Sequence, residues 1–520
     1  MASLSADYII VGGGLTGCAV ASRIAQSSSK PSVILLEAGP DPTGEAGTDT
    51  ILAGLSLLGG KLDYAYQSDP VTQTAGRTHT LNAGKTLGGG SILNFGGWLP
   101  ADSKDYDDWG KIIGDQRWSY KGMKPWLEKV DGHFGAAHIS SDPERKYPLR
   151  NAVEAAWNEL GVKPANTSSG SMTGLSELKE NVRNGLRQPS YAAYPLDGVT
   201  VLTNTSAHRV TFTGVKANGV ELTDGRVAKA NKEVILCSGA YRTPQILMLS
   251  GIGPPEVLSD HGIDLKHASP YVGENLFDHF AVYLAFRLRD PSQNLALGSP
   301  GWTNPSLFKG MPYDWVASET VPQHLVGKDA ASLDLQGRNL FEVLTVYVPP
   351  GIPGIPVDGT HIATSTMLLL PTSRGSVSIS SSSPNDLPKV RPNYLSTDTD
   401  RQVLMYAARQ TLKAILDTGG MKQLVESETP PSGPGLDGLT PLTSDVSDDV
   451  LRERIERTGM QHHHSGGTAA MGKVVDAEGK VLGVDGLRVA DASVVPVPLG
   501  GHPQATLYAM VEQLASFIIQ

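Results

Sequence analysis

Short apolar runs that stop at glycine recur along the chain, and several lead into helix-like repeats. "DYIIVGGGLTGCAVASRIAQ" predicts a buried strand, a tight turn and a helix, and "PSVILLEAGP" predicts a second strand ending in Glu37. "KEVILCSGAYRTPQILMLSGIGP" (232–254) predicts another strand, turn and helix of the same sheet. Its helix would take Thr243 as N-cap, Pro244 as first residue, Ile246, Leu247 and Leu249 as apolar positions, and Ser250-Gly251 as its stop. "HPQATLYAMVEQLASFII" predicts an amphipathic C-terminal helix with Leu507, Met510, Val511, Leu514 and Ile518 on one face. Val377 and Ile379 alternate with polar residues as in a strand, and the "SSSSP" after them reads as a turn. Residues 427–445, rich in proline and glycine, read as a surface loop near a pocket mouth. There is no internal repeat.

The turns carry chemistry. Gly12, Gly14 and Gly17 have G-x-G-x-x-G spacing between a strand and a helix. Such a turn brings backbone close to a pyrophosphate and aims a helix N-terminus at it. Glu37 follows Gly17 by twenty residues, where an acidic side chain takes ribose hydroxyls. The alternative is a purely structural turn, and the second strand with its acidic end argues against it. The fingerprint lies close to the N-terminus, before long non-repeating segments, which favours FAD over NAD. "GKTLGGGSILNFGGW" (84–98) is too glycine-dense for a helix or central strand, and its Leu87, Ile92, Leu93, Phe95 and Trp98 argue against a solvated linker.

Composition narrows the class. The chain has 520 residues, 40% hydrophobic and 18% charged, with a net charge of -10, so two domains or one lobed domain are expected. It shows no basic run of the kind that binds nucleic acid or anionic lipid. Cys18 and Cys237, both in core-like segments, fit a reducing compartment. No basic residue precedes Arg23, and no apolar run approaches the ~18 residues of a membrane span. A cytoplasmic protein is therefore expected, with the sequons at Asn166 and Asn204 as chance matches.

With these segments the sequence resembles the glucose–methanol–choline (GMC) oxidoreductases, FAD enzymes that oxidise alcohols. "GAYRTPQILMLSGIG", "LGGGSILN" with the later "DYDDW", "VGENLFDH" (272–279), "GLRVADASVVP" and "HPQATLYAM" carry the resemblance; residues 280–370 carry none. Gly90 stands where serine is common in the family. The resemblance implies a mixed α/β fold: a Rossmann-like FAD domain from 1–280 and 455–520, and a substrate domain at 281–454 built on an antiparallel sheet backed by helices. It implies cofactor contacts at Leu15, Thr16, Glu37, Ala38, Gly90, Asn94, Phe95, Gly97, Val210, Asp491, Ala492, Pro503 and Gln504. Leu93 occupies the place of the histidine that attaches FAD in some members, so noncovalent FAD is implied.

"HHSGGTAAMG" resembles the family's H-x-x-G-T element, which implies His464 as a catalytic imidazole; His502 follows thirty-eight residues later at the second position. This is the His/His branch. Alcohol oxidation removes a hydroxyl proton and sends a hydride to flavin N5, and an imidazole with a reference pKa of ~6.5 suits the proton step. A helix opened at Pro503 would direct its positive end at negative charge on the flavin. His462 and His463 are expected to be structural, although either could line the pocket. No standard metal-ligand spacing accompanies the three histidines, so no metal is expected.

The expected enzyme oxidises a small or medium alcohol, primary, allylic or benzylic, in intracellular or specialised metabolism. Oxygen or another acceptor would take the electrons. A hydroxynitrile-lyase-like activity, or other unusual flavoprotein chemistry, is the alternative on the same fold. Substrate identity and oligomeric state are not legible.

Overall fold

The computed structural model describes residues 4–330 and 334–519. It is a mixed α/β structure built on two seven-stranded sheets. In the first, the strands Val199–Leu202, Val33–Leu36, Ser5–Val11 and Val227–Leu236 run parallel in that order. Strand Val227–Leu236 is long enough to serve two partners. Its start pairs antiparallel with Lys216–Leu222, while its end, Val234 to Leu236, pairs parallel with Leu487–Val489. That pairing brings the C-terminal segment back to the N-terminal turn. Helix Leu15–Ala25 packs on this sheet and on the C-terminal helix Pro503–Ile518.

The second sheet is antiparallel, in the order Val425–Thr429, Phe280–Leu288, His361–Leu368, Phe341–Val346, Tyr313–Glu319, Gly174–Glu177. It recruits Gly174–Glu177 and Met460–Gln461 from outside 281–454. Helix Asp398–Leu416 backs one face, where Thr366 and Thr411 hydroxyls meet at 2.8 Å. Side chains of period two face the other way: Tyr283, Ser365 and Leu344 stand directly across from one another, and Ala281, Met367 and Glu342 form the next row on that face.

Three local expectations change. The helix over 239–249 begins at Gly239, so Thr243 and Pro244 lie inside it. Proline removes the N–H that would bond the carbonyl four residues back. That carbonyl, of Ala240, instead accepts the Thr468 hydroxyl at 2.6 Å, and Thr243 donates to Asp491 at 2.6 Å. The C-terminal helix is buried on more than one face: Ala505, Thr506, Tyr508, Glu512 and Gln513 are inside too. Glu512 is tolerated there because Arg23 (2.6 Å), Lys129 (2.8 Å) and the Tyr194 hydroxyl (3.0 Å) meet its carboxylate. The loop expected over 427–445 starts later, since Ser427 to Thr429 belong to the second sheet, and none of 427–445 reaches the cavity described below. Cys18 and Cys237 are buried free thiols. Among the described residues no helix is long and apolar enough to cross a membrane.

Candidate active site

A cavity of about 630 Å³ is walled by both sheets. Gly12, Gly14, Leu15, Thr16, Glu37 and Ala38 line one part of it, and His464 and His502 another. Gly90, Asn94, Phe95, Gly97, Asp491, Ala492, Pro503 and Gln504 also line it. Two residues named from the sequence do not. Gly17 acts by packing: a Cβ there would drive into the Gly12 carbonyl, so only glycine lets helix and turn close. Val210 lies off the wall, buried, with its N–H given to the Ser250 hydroxyl at 2.8 Å. Thr205, Ser206 and Ala207 form the wall instead, three to five residues earlier in the same segment.

At the glycine turn, the helix Leu15–Ala25 has no side-chain cap on its N-terminus. Its first N–H groups therefore suit an anion such as a diphosphate. The Glu37 carboxylate accepts from Gly13 N–H (2.8 Å) and Gly39 N–H (2.7 Å), bracing the turn. Burial nevertheless pushes its pKa up to about 7. Asp491 holds the adjoining helix by accepting from Gly239 N–H (2.9 Å) and Ser493 N–H (2.8 Å). Gln504 donates to the Gly97 carbonyl at 2.6 Å, tying the glycine-rich loop to the C-terminal helix. An elongated dinucleotide fits these residues: an uncapped helix end, glycine walls and an acidic residue at the strand end.

Five histidines border the other part: His279, His462, His463, His464 and His502. Strand Met460–Gln461 pairs with the start of Phe280–Leu288, which sets the histidine run beside His279. His462 donates its N–H to the His279 carbonyl (3.0 Å), its ring meets the Ser365 hydroxyl (3.2 Å), and it stacks on Tyr283 with centroids 6.2 Å apart. His463 has φ +63° and its ring Nδ1 meets the Gln461 amide at 2.9 Å. Both rings are hydrogen-bonded within the protein, and both line the cavity. His464 is set differently. Its N–H donates to Asp278 at 2.7 Å, the Ser465 hydroxyl donates to the same carboxylate at 2.9 Å, and ring Nδ1 lies 2.9 Å from Nδ1 of His279. The His464 ring stands 5.6 Å from that of His502.

Burial and the neighbouring imidazoles hold His464 well below the usual imidazole pKa. Burial lowers His279 to about 3 and His463 to about 4. The sequence suggested an imidazole that titrates near neutrality; the enclosed cluster holds the His464 ring neutral over a wider range. Burial also raises Asp278 to about 7, against the hydrogen bonds it accepts.

Glu342 escaped the sequence reading. It is buried in the second sheet, and its Oε1 meets His502 Nε2 at 2.7 Å. Gly97 packs against the other ring nitrogen, Nδ1, where a Cβ would collide. Tyr283, Ser365 and Leu344, which complete this wall, were equally unnamed. They come from the stretch without motifs, where only strand alternation carries information.

Sequence profiles described as GMC oxidoreductase match residues 6–281 and 371–510. The chain belongs to the GMC oxidoreductases. The GMC-type oxidoreductase acuG of Aspergillus aculeatus is 38% identical over 99% of this chain and 99% of its own length. Formate oxidase of Aspergillus oryzae, described for its FAD modification, superposes with a TM-score of 0.87 at 27% identity over 100% of this chain and 98% of that one. Pyridoxine 4-oxidase from Mesorbium loti superposes with a TM-score of 0.82 at 26% identity over 98% of each chain. The protein is an oxidoreductase of mixed α/β fold, with a second, antiparallel sheet backed by helices.

Proposed function

We propose that this GMC oxidoreductase is an FAD-dependent enzyme that oxidises the CH–OH group of a small or medium alcohol to a carbonyl. The observation that carries the reading is His464: its ring borders the same cavity as the glycine turn, and among the described residues its Nε2 has no hydrogen-bond partner. Bound FAD supplies the hydride acceptor. His464 takes the hydroxyl proton, which makes the adjoining carbon a better hydride donor. His502, oriented by Glu342, places its ring 5.6 Å from that of His464, so both rings border the space proposed for the alcohol. Leu344, Val346, Met311, Phe95 and Tyr283 give the cavity apolar and aromatic walls. They favour a benzylic or allylic substrate, whose hydride-donor carbon is also activated by conjugation. Pyridoxine, named for one neighbour, is an aromatic alcohol of this kind.

The test is anaerobic mixing with a panel of primary alcohols. Benzylic and allylic members should bleach the flavin fastest. Substrate turnover with the flavin still yellow would replace this reading with the lyase one.

FAD is proposed to be noncovalent, because Leu93 lines the cavity where some relatives carry an attaching histidine. Acid precipitation should leave FAD in the supernatant, and colour in the pellet would refute this. Glu37 is proposed to hold the ribose hydroxyls. Glu37→Ala should weaken FAD binding by roughly 1.5–3 kcal/mol, the range for a hydrogen bond to a charged group. Equal FAD affinity by fluorescence titration would remove Glu37 from the site.

A further inference from the structure

His279 belongs to none of the roles assigned so far, although it touches two of the loops that build the site. Its ring is fully buried. Nε2 lies 3.1 Å from the carbonyl oxygen of Leu499, and Nδ1 lies 2.9 Å from Nδ1 of His464. A carbonyl oxygen only accepts, so His279 Nε2 must carry a hydrogen. A neutral imidazole has one N–H, which leaves His279 Nδ1 as an acceptor. The only hydrogen that can lie between the two Nδ1 atoms then belongs to His464. Burial supports the premise, since it holds both rings in their neutral forms.

We propose that His279 is a positioning residue that fixes the proton of His464 on Nδ1 and so leaves Nε2, the ring nitrogen with no partner among the described residues, bare toward the cavity. The relay runs from the Leu499 carbonyl through His279 to His464, and each bond has one possible direction. An imidazole that donates through one nitrogen accepts through the other, which is the state a base needs. In the opposite tautomer Nε2 would carry a hydrogen and could not take the substrate's proton. Leu499 lies three residues before His502, so the same relay ties the loop of the first histidine to the loop of the second. The catalytic meaning of this tautomer rests on the reading of His464 as the base.

The test uses FAD-loaded enzyme labelled with [¹⁵N]histidine. The His464 signals are those lost in His464→Ala. In the wild type they should show a protonated Nδ1 and an unprotonated Nε2. His279→Leu removes the acceptor, and the His464 signals should shift toward protonation at Nε2, the ordinary preference of free imidazole. His279→Asn keeps an amide near the position of Nδ1 and should keep the wild-type pattern. Flavin reduction by a good alcohol should fall at least about tenfold in His279→Leu, with little change in apparent substrate affinity, and should largely recover in His279→Asn.

A wild-type His464 protonated at Nε2 would overturn the proposal, as would an unchanged pattern in His279→Leu. If the leucine variant does not fold, the wild-type spectrum and the asparagine variant still decide. The NMR readout needs no substrate. A correct tautomer with unimpaired reduction in His464→Ala would therefore sink the base assignment, and with it the catalytic role of His279, while leaving the hydrogen-bond relay itself intact.

Discussion

Replacing His464 by alanine should slow anaerobic flavin reduction by roughly 10²–10⁴-fold, the range for loss of a positioned acid or base. Each ring of the triplet bonds through one nitrogen, His462 to Ser365, His463 to Gln461 and His464 to His279; His464 is the member that His279 holds and whose ring stands 5.6 Å from that of His502. His462→Ala and His463→Ala should therefore cost far less, and an intact rate in His464→Ala beside a lost one in His463→Ala would move the base by one residue. His502→Ala should also slow reduction. The double variant with His464→Ala should lose less than the product of the two single effects if the pair acts as a unit, as proposed. The pH profile follows from burial. The working form of the base is neutral, and the folded protein holds its pKa well below 6.5. Stopped-flow reduction rates should thus be flat from alkaline pH down to about 6.5, the ordinary imidazole value, and fall only below it. That acid limb should vanish in His464→Ala. A limb centred near neutrality in the wild type would show that the base is better solvated than this cavity allows.

The parts of this site that the sequence reveals are those where local geometry demands particular residue types. Gly17 is required by the turn itself, because any side chain would strike Gly12. The strand–turn–helix at 5–25 and the helix opened by Pro503 follow from short-range patterns in the same way. Legibility fails where a long-range partner decides. Pro244 looks like a helix start by every local rule; it sits inside a helix because Thr468, distant in sequence, takes the carbonyl that proline leaves free. Val210 and Ala207 lie on one strand, and the wall of the cavity, not the segment's composition, selects the earlier residue. Glu342 stands in "FEVLTV", a short strand of mixed character. Alternation puts Glu342, Leu344 and Val346 on one face, but only the register against His361–Leu368 shows that this face is the site.

His502→Ala carries a second large consequence, in stability as well as rate. Glu342 is fully buried; Oε1 bonds the His502 ring, while Oε2 has no partner among the described residues. Removing the ring would leave the carboxyl with neither oxygen satisfied in an apolar wall. The cost of stranding a buried carboxyl group without its hydrogen-bond partner is about 3 kcal/mol or more. His502→Ala should accordingly lower the thermal midpoint and the urea midpoint of the holoenzyme. Adding Glu342→Leu to His502→Ala should restore much of that stability, because the stranded group is then gone and the gap is refilled by an apolar side chain. It should restore none of the activity, because the ring proposed to border the substrate hydroxyl is still missing. Glu342→Gln in an otherwise intact protein should be the milder change, since the amide oxygen can still accept from His502. The decisive comparison is His502→Ala against the double variant with Glu342→Leu, by denaturation and by flavin reduction in parallel. If the double variant were no more stable than His502→Ala, Glu342 would not be the group left stranded. If it regained activity, His502 would not be the residue that meets the alcohol.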